Sequence, residues 1–243
     1  MSQTSSPPGI RLNKALAQAG LGSRRGVEAL ITAGRVQVNN ATADLGTRVQ
    51  DSDLITLDGK PVQVNTDIRL WLYHKPRGHV TTHKDPEGRP TVFDNLPPQM
   101  PRVISVGRLD VNTEGLLLLT TSGDLARHLE LPKHGYERTY RVRVRGDVDP
   151  KALDGLKNGL SVDGVHYGPI EAKLETQMPS NAWLVIRIRE GKNREVRKIC
   201  EHLGHTVNRL IRVGFGPFAL GTLPEGQAQE IKGRALKELT QHI

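Results

Sequence analysis

The sequence predicts an α+β protein in which a small helix and strand unit precedes a larger body built on a mixed, mainly antiparallel sheet. Three observations carry that expectation. Two apolar stripes at helical spacing fill residues 12–31, strand-like segments that mostly alternate apolar with polar residues recur from Arg69 onward, and no repeat of solenoid period is present. At 243 residues the chain has room for one small and one larger domain.

The first nine residues, MSQTSSPPG, lack the basic and apolar parts of a secretory signal, and they read as a disordered leader on a cytoplasmic protein. Leu12, Ala15, Leu16 and Ala19 then follow the i, i+3, i+4, i+7 spacing of an amphipathic helix that Gly20 stops, with Arg11 and Lys14 on it. Ser23 caps a second helix with an inner stripe of Val27, Leu30 and Ile31, opened by Arg24 and Arg25 and ended by Gly34. Val36–Asn39 and Leu54–Leu57 read as strands, and Asp58-Gly59 is a hairpin turn signal. Residues 10–60 therefore form one small domain, 61–68 a linker, and 69–243 the body.

In the body, strands are expected at residues 70–74, 103–106, 116–120, 139–144, 183–188 and 207–213. Asp149-Pro150 opens one helix, because Asp caps and Pro tolerates the first helical position. Residues 193–203 make another, with Val196, Ile199, Cys200 and Leu203 inward, Gly204 as the stop, and Arg194, Arg197, Lys198 and Glu201 beside or opposite the stripe.

Charge narrows the partner. The chain carries 34 Lys and Arg against 26 Asp and Glu, a net +8, and the surplus is concentrated. Residues 10–39 hold five basic side chains against Glu28 alone, and residues 187–212 hold eight against three acidic ones. Clustering of this kind favours a nucleic acid as partner, although basic proteins also carry such charge for solubility. Aromatic residues are only 4%, which argues against a sheet that stacks several bases in a row. No apolar run approaches the ~18 residues that cross a bilayer, so no membrane partner is expected. A single cysteine, Cys200, excludes an internal disulfide and any multi-cysteine metal cluster. Cys200, His202 and His205 do not make a ligand set, since Cys200 lies on the apolar stripe and His205 follows the stop glycine. Neither a metal nor another cofactor is expected.

The segment VGRLDVNTEGLLLLTTSGDL places Asp110 on a turn between two strands, where fixed elements could hold a nucleophile or general base. Read alone, Asp-Val-Asn-Thr more often marks a turn in which Asp bonds its own backbone. Glu114, four residues on, reads as a turn residue rather than as the second carboxylate of a hydrolase. Arg108 is placed to hold an extruded nucleotide or its phosphate, or else to be plain surface charge. Lys75 and Arg77 in HKPRG could line the same cleft, with no role assigned.

Two resemblances sharpen this picture. RLNKALAQAGLGSRRGVEALITAGRVQVN resembles the S4 domain, a small RNA-binding module, which implies that Arg11, Lys14, Arg24 and Arg25 contact RNA phosphates. HKPRGHVTT, GRLDVNTEGLLLLT, RTYRV, EGKNREVRKICEHLG and NRLIRVGFGPF are similar, in content and order, to motifs of bacterial ribosomal RNA pseudouridine synthases. That resemblance implies a cofactor-free isomerase in which Asp110 is the nucleophile, Tyr140 stacks on the flipped-out uracil, and Arg197 pairs with the Asp110 carboxylate. It implies ribosomal RNA as partner, free or within an assembling subunit, and a monomeric enzyme. The strings DPEGRPTVFDNLP and Asn-Arg-Glu-Val-Arg favour 23S over 16S RNA.

Overall fold

The computed structural model of the chain describes residues 9–241, so the expected leader lies outside the described residues except for Gly9. The chain divides into two compact units between Asp67 and Ile68. No helix among the described residues is long and apolar enough to cross a membrane.

In the first unit the order is β1 (Ile10–Arg11), α1 (Leu12–Gln18), α2 (Arg24–Thr32), β2 (Val36–Val38), β3 (Ala41–Thr42), β4 (Arg48–Val49), β5 (Ile55–Leu57) and β6 (Lys60–Pro61). The helical stripes bury as their spacing requires: Leu12, Ala15 and Leu16 of α1 meet Val27 and Ile31 of α2 over Val36, Val49 and Ile55. Ser23 caps α2 by accepting the Gly26 N–H at 3.0 Å. Asp58 and Gly59, both at positive φ, turn β5 into β6, which suits a two-residue hairpin. Val62 and Val64 also pack on this core. One placement differs from the sequence reading. Arg11 is not on the helix but in β1, extended and paired with Arg48, because the residue before a helix keeps non-helical dihedrals.

The second unit runs β7 (Leu70–Lys75), β8 (Ile104–Val106), β9 (Glu114–Thr120), α3 (Gly123–Glu130), β10 (Arg138–Arg145), α4 (Pro150–Asp154), β11 (Leu160–Val162), β12 (Val165–Tyr167), β13 (Glu171–Gln177), β14 (Asn181–Ile188), α5 (Glu195–His202), β15 (Val207–Phe215), β16 (Phe218–Ala219), β17 (Ala228–Ile231) and α6 (Arg234–Thr240). Its main sheet has the order β13-β14-β10-β15-β9-β7-β17, with β8 beside β9 and β16 beside β15. Every pairing in it is antiparallel except β9 with β15.

Both faces of this sheet are covered at β7 and β9, whereas β10, β13 and β14 keep one wetter face. One carries Trp71, Tyr73, Leu117, Leu119, Val142, Leu184 and Ile186 with α4 and α5 against them. The other carries Leu70, Leu72, Leu116 and Leu118 under Leu125 and Leu129 of α3 and Leu239 of α6. Burial on two faces is why residues 116–119 are four consecutive leucines instead of an alternating strand. Helix α5 is shorter than its sequence pattern suggested. Asn193 lies outside it and Arg194, in the left-handed region at φ 52°, precedes its first turn.

The parallel contact between β9 and β15 is only two residues long, Ile211 with Glu114 and Arg212 with Gly115. Gly115 sits at φ +104°, and a Cβ there would lie 2.3 Å from the Arg212 carbonyl oxygen. Gly115→Ala therefore combines a strained dihedral with a backbone clash, and we expect a loss of ~3 kcal/mol or more. Chemical denaturation of the purified variant measures it; a midpoint equal to that of the parent would contradict this packing.

Candidate active site

A cleft of about 850 Å³ opens on the second unit. One wall is the loop from Gly107 to Thr113, which leaves β8 and enters β9, and it carries Arg108 and Asp110. The floor comes from neighbouring sheet strands: Arg138 and Tyr140 of β10, Ile188 of β14, and Leu210 and Arg212 of β15. The segment from Gly191 to Val196, leading into α5, closes the far side.

The Asp110 loop is held from below by side chains far away in sequence. Lys75, at the end of β7, is fully buried, and its Nζ donates to the carbonyls of Thr113 (2.8 Å), Pro76 (2.9 Å) and Val111 (3.5 Å). Burial pulls the Lys75 pKa down to about 8, against the opposing pull of Asp110, Glu114 and Glu225. Arg197 reaches up from α5 to donate to the Asn112 carbonyl at 2.9 Å. Thr81 exchanges hydrogen bonds with the backbone of Leu109, and the Gly78 N–H donates to the Val111 carbonyl. Lys75, Arg197, Thr81 and Gly78 thus clamp the loop backbone, and the half-buried Asp110 faces the cleft.

Glu114 is not in the turn. It opens β9, is buried, and both its oxygens accept from Arg209 at 2.8 Å, a bidentate pair that holds its carboxyl below the ordinary glutamate range. That pair lies outside the cleft lining and ties the loop to β15.

Of the residues the sequence singled out, the structure brings Asp110, Arg108 and Tyr140 to the cleft. Arg108 is exposed on the loop, and Tyr140 is buried in the floor at 8% exposure. Arg197, expected beside or opposite the apolar stripe, is buried, because α5 packs its first turn beneath the loop. Among the described residues no ion pair joins Arg197 to Asp110; the guanidinium donates to the carbonyls of Asn112 in the loop and Val207 in β15, and its Nε is buried without a partner. Burial and the charge of Arg194 lower the Arg197 pKa, while the Asp110 carboxylate acts in the opposite direction, which places the two within electrostatic reach. Lys75 lies under the cleft and Arg77 is exposed outside its lining. Arg11, Arg24 and Arg25 are exposed on the first unit, and Lys14 is half-buried there.

Three buried charged residues of the cleft escaped the sequence reading: Arg138, Arg212 and Glu195. A signal was available. In RTYRVRVR and VNRLIRVGF, Arg138 and Arg212 occupy the inward register of their strands, where an apolar residue is the default. Glu195 accepts the Lys192 N–H at 2.8 Å through Oε2, and its Oε1 is buried without a partner. Desolvation raises its pKa to about 7, and the neighbouring Glu190 adds to the rise. The thiol of Cys200 is buried as well, which pushes its pKa up to about 12 and leaves it a packing group. Among the described residues no three His, Cys, Asp or Glu side chains stand together as metal ligands.

A carboxylate on a clamped loop, facing an aromatic floor in a basic cleft, is the setting in which the comparisons with known proteins can be judged. The RNA pseudouridylate synthase family model matches residues 69–202, more than half of the chain and the cleft lining as far as α5, and the S4 domain model matches residues 10–55. The chain belongs to the RNA pseudouridylate synthase family. It is 46% identical over 229 residues to an uncharacterized RNA pseudouridine synthase of Rickettsia felis, covering 94% of this chain and 99% of the relative. It is 43% identical to ribosomal large subunit pseudouridine synthase B of Pseudomonas aeruginosa, across 98% of this chain and 63% of that protein. Among solved structures, a crystal structure of a pseudouridylate synthase superposes with a TM-score of 0.66 at 26% identity over 95% of this chain and 100% of that one. The protein is an RNA pseudouridine synthase, an isomerase, with an S4 RNA-binding domain ahead of its catalytic fold.

The anchoring under the loop can be tested directly. Lys75→Met removes three backbone anchors, and since a misplacement of ~1 Å costs on the order of 100-fold in rate, turnover should fall by about that factor while KM for RNA changes little. Steady-state kinetics separate the two parameters. For Glu195 the folded carboxyl titrates near 7 and the unfolded one near 4.5, so the native state loses stability as pH rises through that window and is level above it. Glu195→Gln keeps an acceptor for Lys192 but abolishes that loss. The variant should match the parent at pH 4 and exceed it at pH 8 in urea denaturation; equal stability at both would show that Glu195 is not held protonated.

Proposed function

We propose that this enzyme converts uridine to pseudouridine in 23S ribosomal RNA, using Asp110 as nucleophile on a base flipped into the cleft. The observation that carries the proposal is the placement of Asp110 on a loop fixed by Lys75, Arg197 and Thr81, facing a floor that contains Tyr140. The choice of 23S over 16S rests on the likeness to large-subunit synthases of other bacteria.

The chemistry suits this equipment. Isomerisation breaks the bond from C1′ to N1 of uracil and makes one from C1′ to C5, with the C5 proton released to water and one taken up at N1, so nothing is oxidised and no water is consumed. One carboxylate is enough, whereas a glycoside hydrolase needs a second one to activate or replace water. Asp110 engages the ribose as the glycosidic bond opens. Flipping the uridine out of its stack costs a few kcal/mol, and the Tyr140 ring receives the exposed base in return. Arg197 acts as a positioning residue: it fixes the Asn112 carbonyl and lends a nearby positive charge to Asp110 without forming an ion pair. Arg108, exposed at the mouth, meets the phosphate of the flipped nucleotide.

Residues 10–60 serve as the RNA-binding head, with Arg11, Lys14, Arg24 and Arg25 on phosphates. The substrate is ribosomal RNA, free or in an assembling subunit, and the enzyme works as a cytoplasmic monomer.

Asp110→Asn preserves shape but removes the nucleophile, and turnover should fall by several orders of magnitude with RNA affinity nearly unchanged. Mapping pseudouridine in ribosomal RNA from cells with and without the gene identifies the substrate; a site in 16S RNA alone would overturn the assignment to the large subunit. Changing Arg24 and Arg25 together to Ala should weaken binding and flatten the plot of log affinity against log salt by about 0.7 to 0.9 for each phosphate no longer neutralised. An unchanged slope would remove the head from RNA binding.

A further inference from the structure

The cleft floor contains a buried guanidinium with a donor that no protein group accepts. Arg212 is 3% exposed and lines the cleft. Its Nε donates to the Leu116 carbonyl at 2.7 Å, its Nη2 is buried without a hydrogen-bond partner, and among the described residues no ion pair reaches the guanidinium. Arg138, next to it in the floor, is buried too, yet its guanidinium donates to the carbonyls of Tyr136, Arg189 and Glu130. Both guanidinium groups lie over the Phe215 ring, at 4.9 Å for Arg138 and 5.3 Å for Arg212. Burying an arginine whose terminal N–H groups go unused is costly, and such a cost is retained where something fills the gap during function.

Position narrows what that is. Arg212 stands directly opposite Tyr140 across the β10–β15 ladder, so on one face of the sheet it is the neighbour of the ring assigned to the uracil. Its backbone is also pinned against Gly115, where β9 and β15 meet, so its place in the floor is fixed before substrate arrives.

We propose that Arg212 is a further catalytic residue, whose unpaired guanidinium nitrogen receives the negative charge that gathers on the uracil carbonyl oxygens when the glycosidic bond breaks. This rests on the reading of Tyr140 as the base platform and Asp110 as nucleophile. When the bond from C1′ to N1 opens, its electron pair stays on the uracil ring and spreads to O2 and O4. The anion then attacks C1′ through C5 as the Asp110 carboxylate leaves that carbon, the C5 proton passes to water while N1 takes one up from water, and Arg212 gives up no proton. A fixed, desolvated donor is most effective when it is aimed at charge that exists only in the transition state and the intermediate. Phosphate is a weaker fit as the occupant, because the free nitrogen lies in the floor beside the base platform, whereas the exposed Arg108 is at the mouth.

The experiment varies the leaving group. Fluorine at C5 draws electrons from the ring and makes uracil a better leaving anion, and it also leaves no C5 proton to remove. The full-length protein is compared with Arg212→Met and Arg212→Lys on RNA containing uridine or 5-fluorouridine at the target. The readout is single-turnover loss of the target nucleoside in nuclease digests. With uridine, Arg212→Met should be slower by roughly 100- to 1,000-fold, as for removal of one oxyanion donor, and with 5-fluorouridine by roughly 10-fold or less. Arg212→Lys, which keeps a cation, should fall between, and it carries the comparison if the Met variant does not fold. An equal loss on both RNAs would overturn the proposal in favour of a scaffold role. A loss confined to KM and to the salt slope would overturn it in favour of a phosphate contact. Asp110→Asn, run beside them, is expected to be inactive on both RNAs. Activity in that variant would refute the nucleophile assignment, an outcome separate from the ratio that judges Arg212.

Discussion

Where β9 meets β15, the backbones of Gly115 and Arg212 approach so closely that there is no room for a methyl group between them. This contact joins two antiparallel halves, β17-β7-β9-β8 and β13-β14-β10-β15, into one sheet. It also decides where chemistry can happen. The loop ahead of β9 carries Asp110, the strand beyond the seam carries Arg212 and borders Tyr140, and the cleft lies where the two halves join. Glu114 and Arg209, adjacent to the seam, reinforce it with a bidentate pair, of the buried or half-buried kind whose geometry specifies register as much as it adds stability.

The charges around that seam divide the labour. Lys75, Arg197 and Arg138 are buried cations that give their hydrogen bonds to backbone carbonyls, and the result is rigidity: a loop and a floor whose positions do not depend on substrate. Arg212 and Arg108 keep donors in reserve. An active site of this type uses many cations to hold itself in shape and few to meet the ligand, so counting basic residues overstates the number that touch RNA.

Much of this was legible in the sequence. Apolar spacing and Ser23 gave both helices of the small unit, and alternation placed most strands of the larger one, because those patterns reflect one-sided burial that needs no knowledge of the partner. The family resemblance located the loop and cleft. What escaped was set by tertiary contact. Helix α3 went unread because it is two turns long, with only Leu125, Ala126 and Leu129 to announce it. Glu114 read as a turn residue because Arg209, its partner, is 95 positions away. Arg197 was expected beside or opposite the apolar stripe and paired with Asp110, yet the packing of α5 buries it and gives it the Asn112 carbonyl. Buried arginines in strands resemble surface arginines until the register is known, and that is why Arg138 and Arg212 went unremarked.

The length of chain between the two sides of the seam also bears on synthesis. β9 leaves the ribosome with β7 and β8 already made, so most of its edges find partners at once. The exceptions are Glu114 and Gly115, whose neighbours Ile211 and Arg212 are translated almost one hundred residues later. Until then the four leucines of β9 belong to an unfinished sheet, and the Asp110 loop has no Arg197 beneath it. Loop closure over that distance is slow compared with hairpin formation, and unfinished apolar edges are the surfaces that chaperones recognise. The Asp110 loop and the floor of the cleft are accordingly incomplete until the last fifth of the chain has been made.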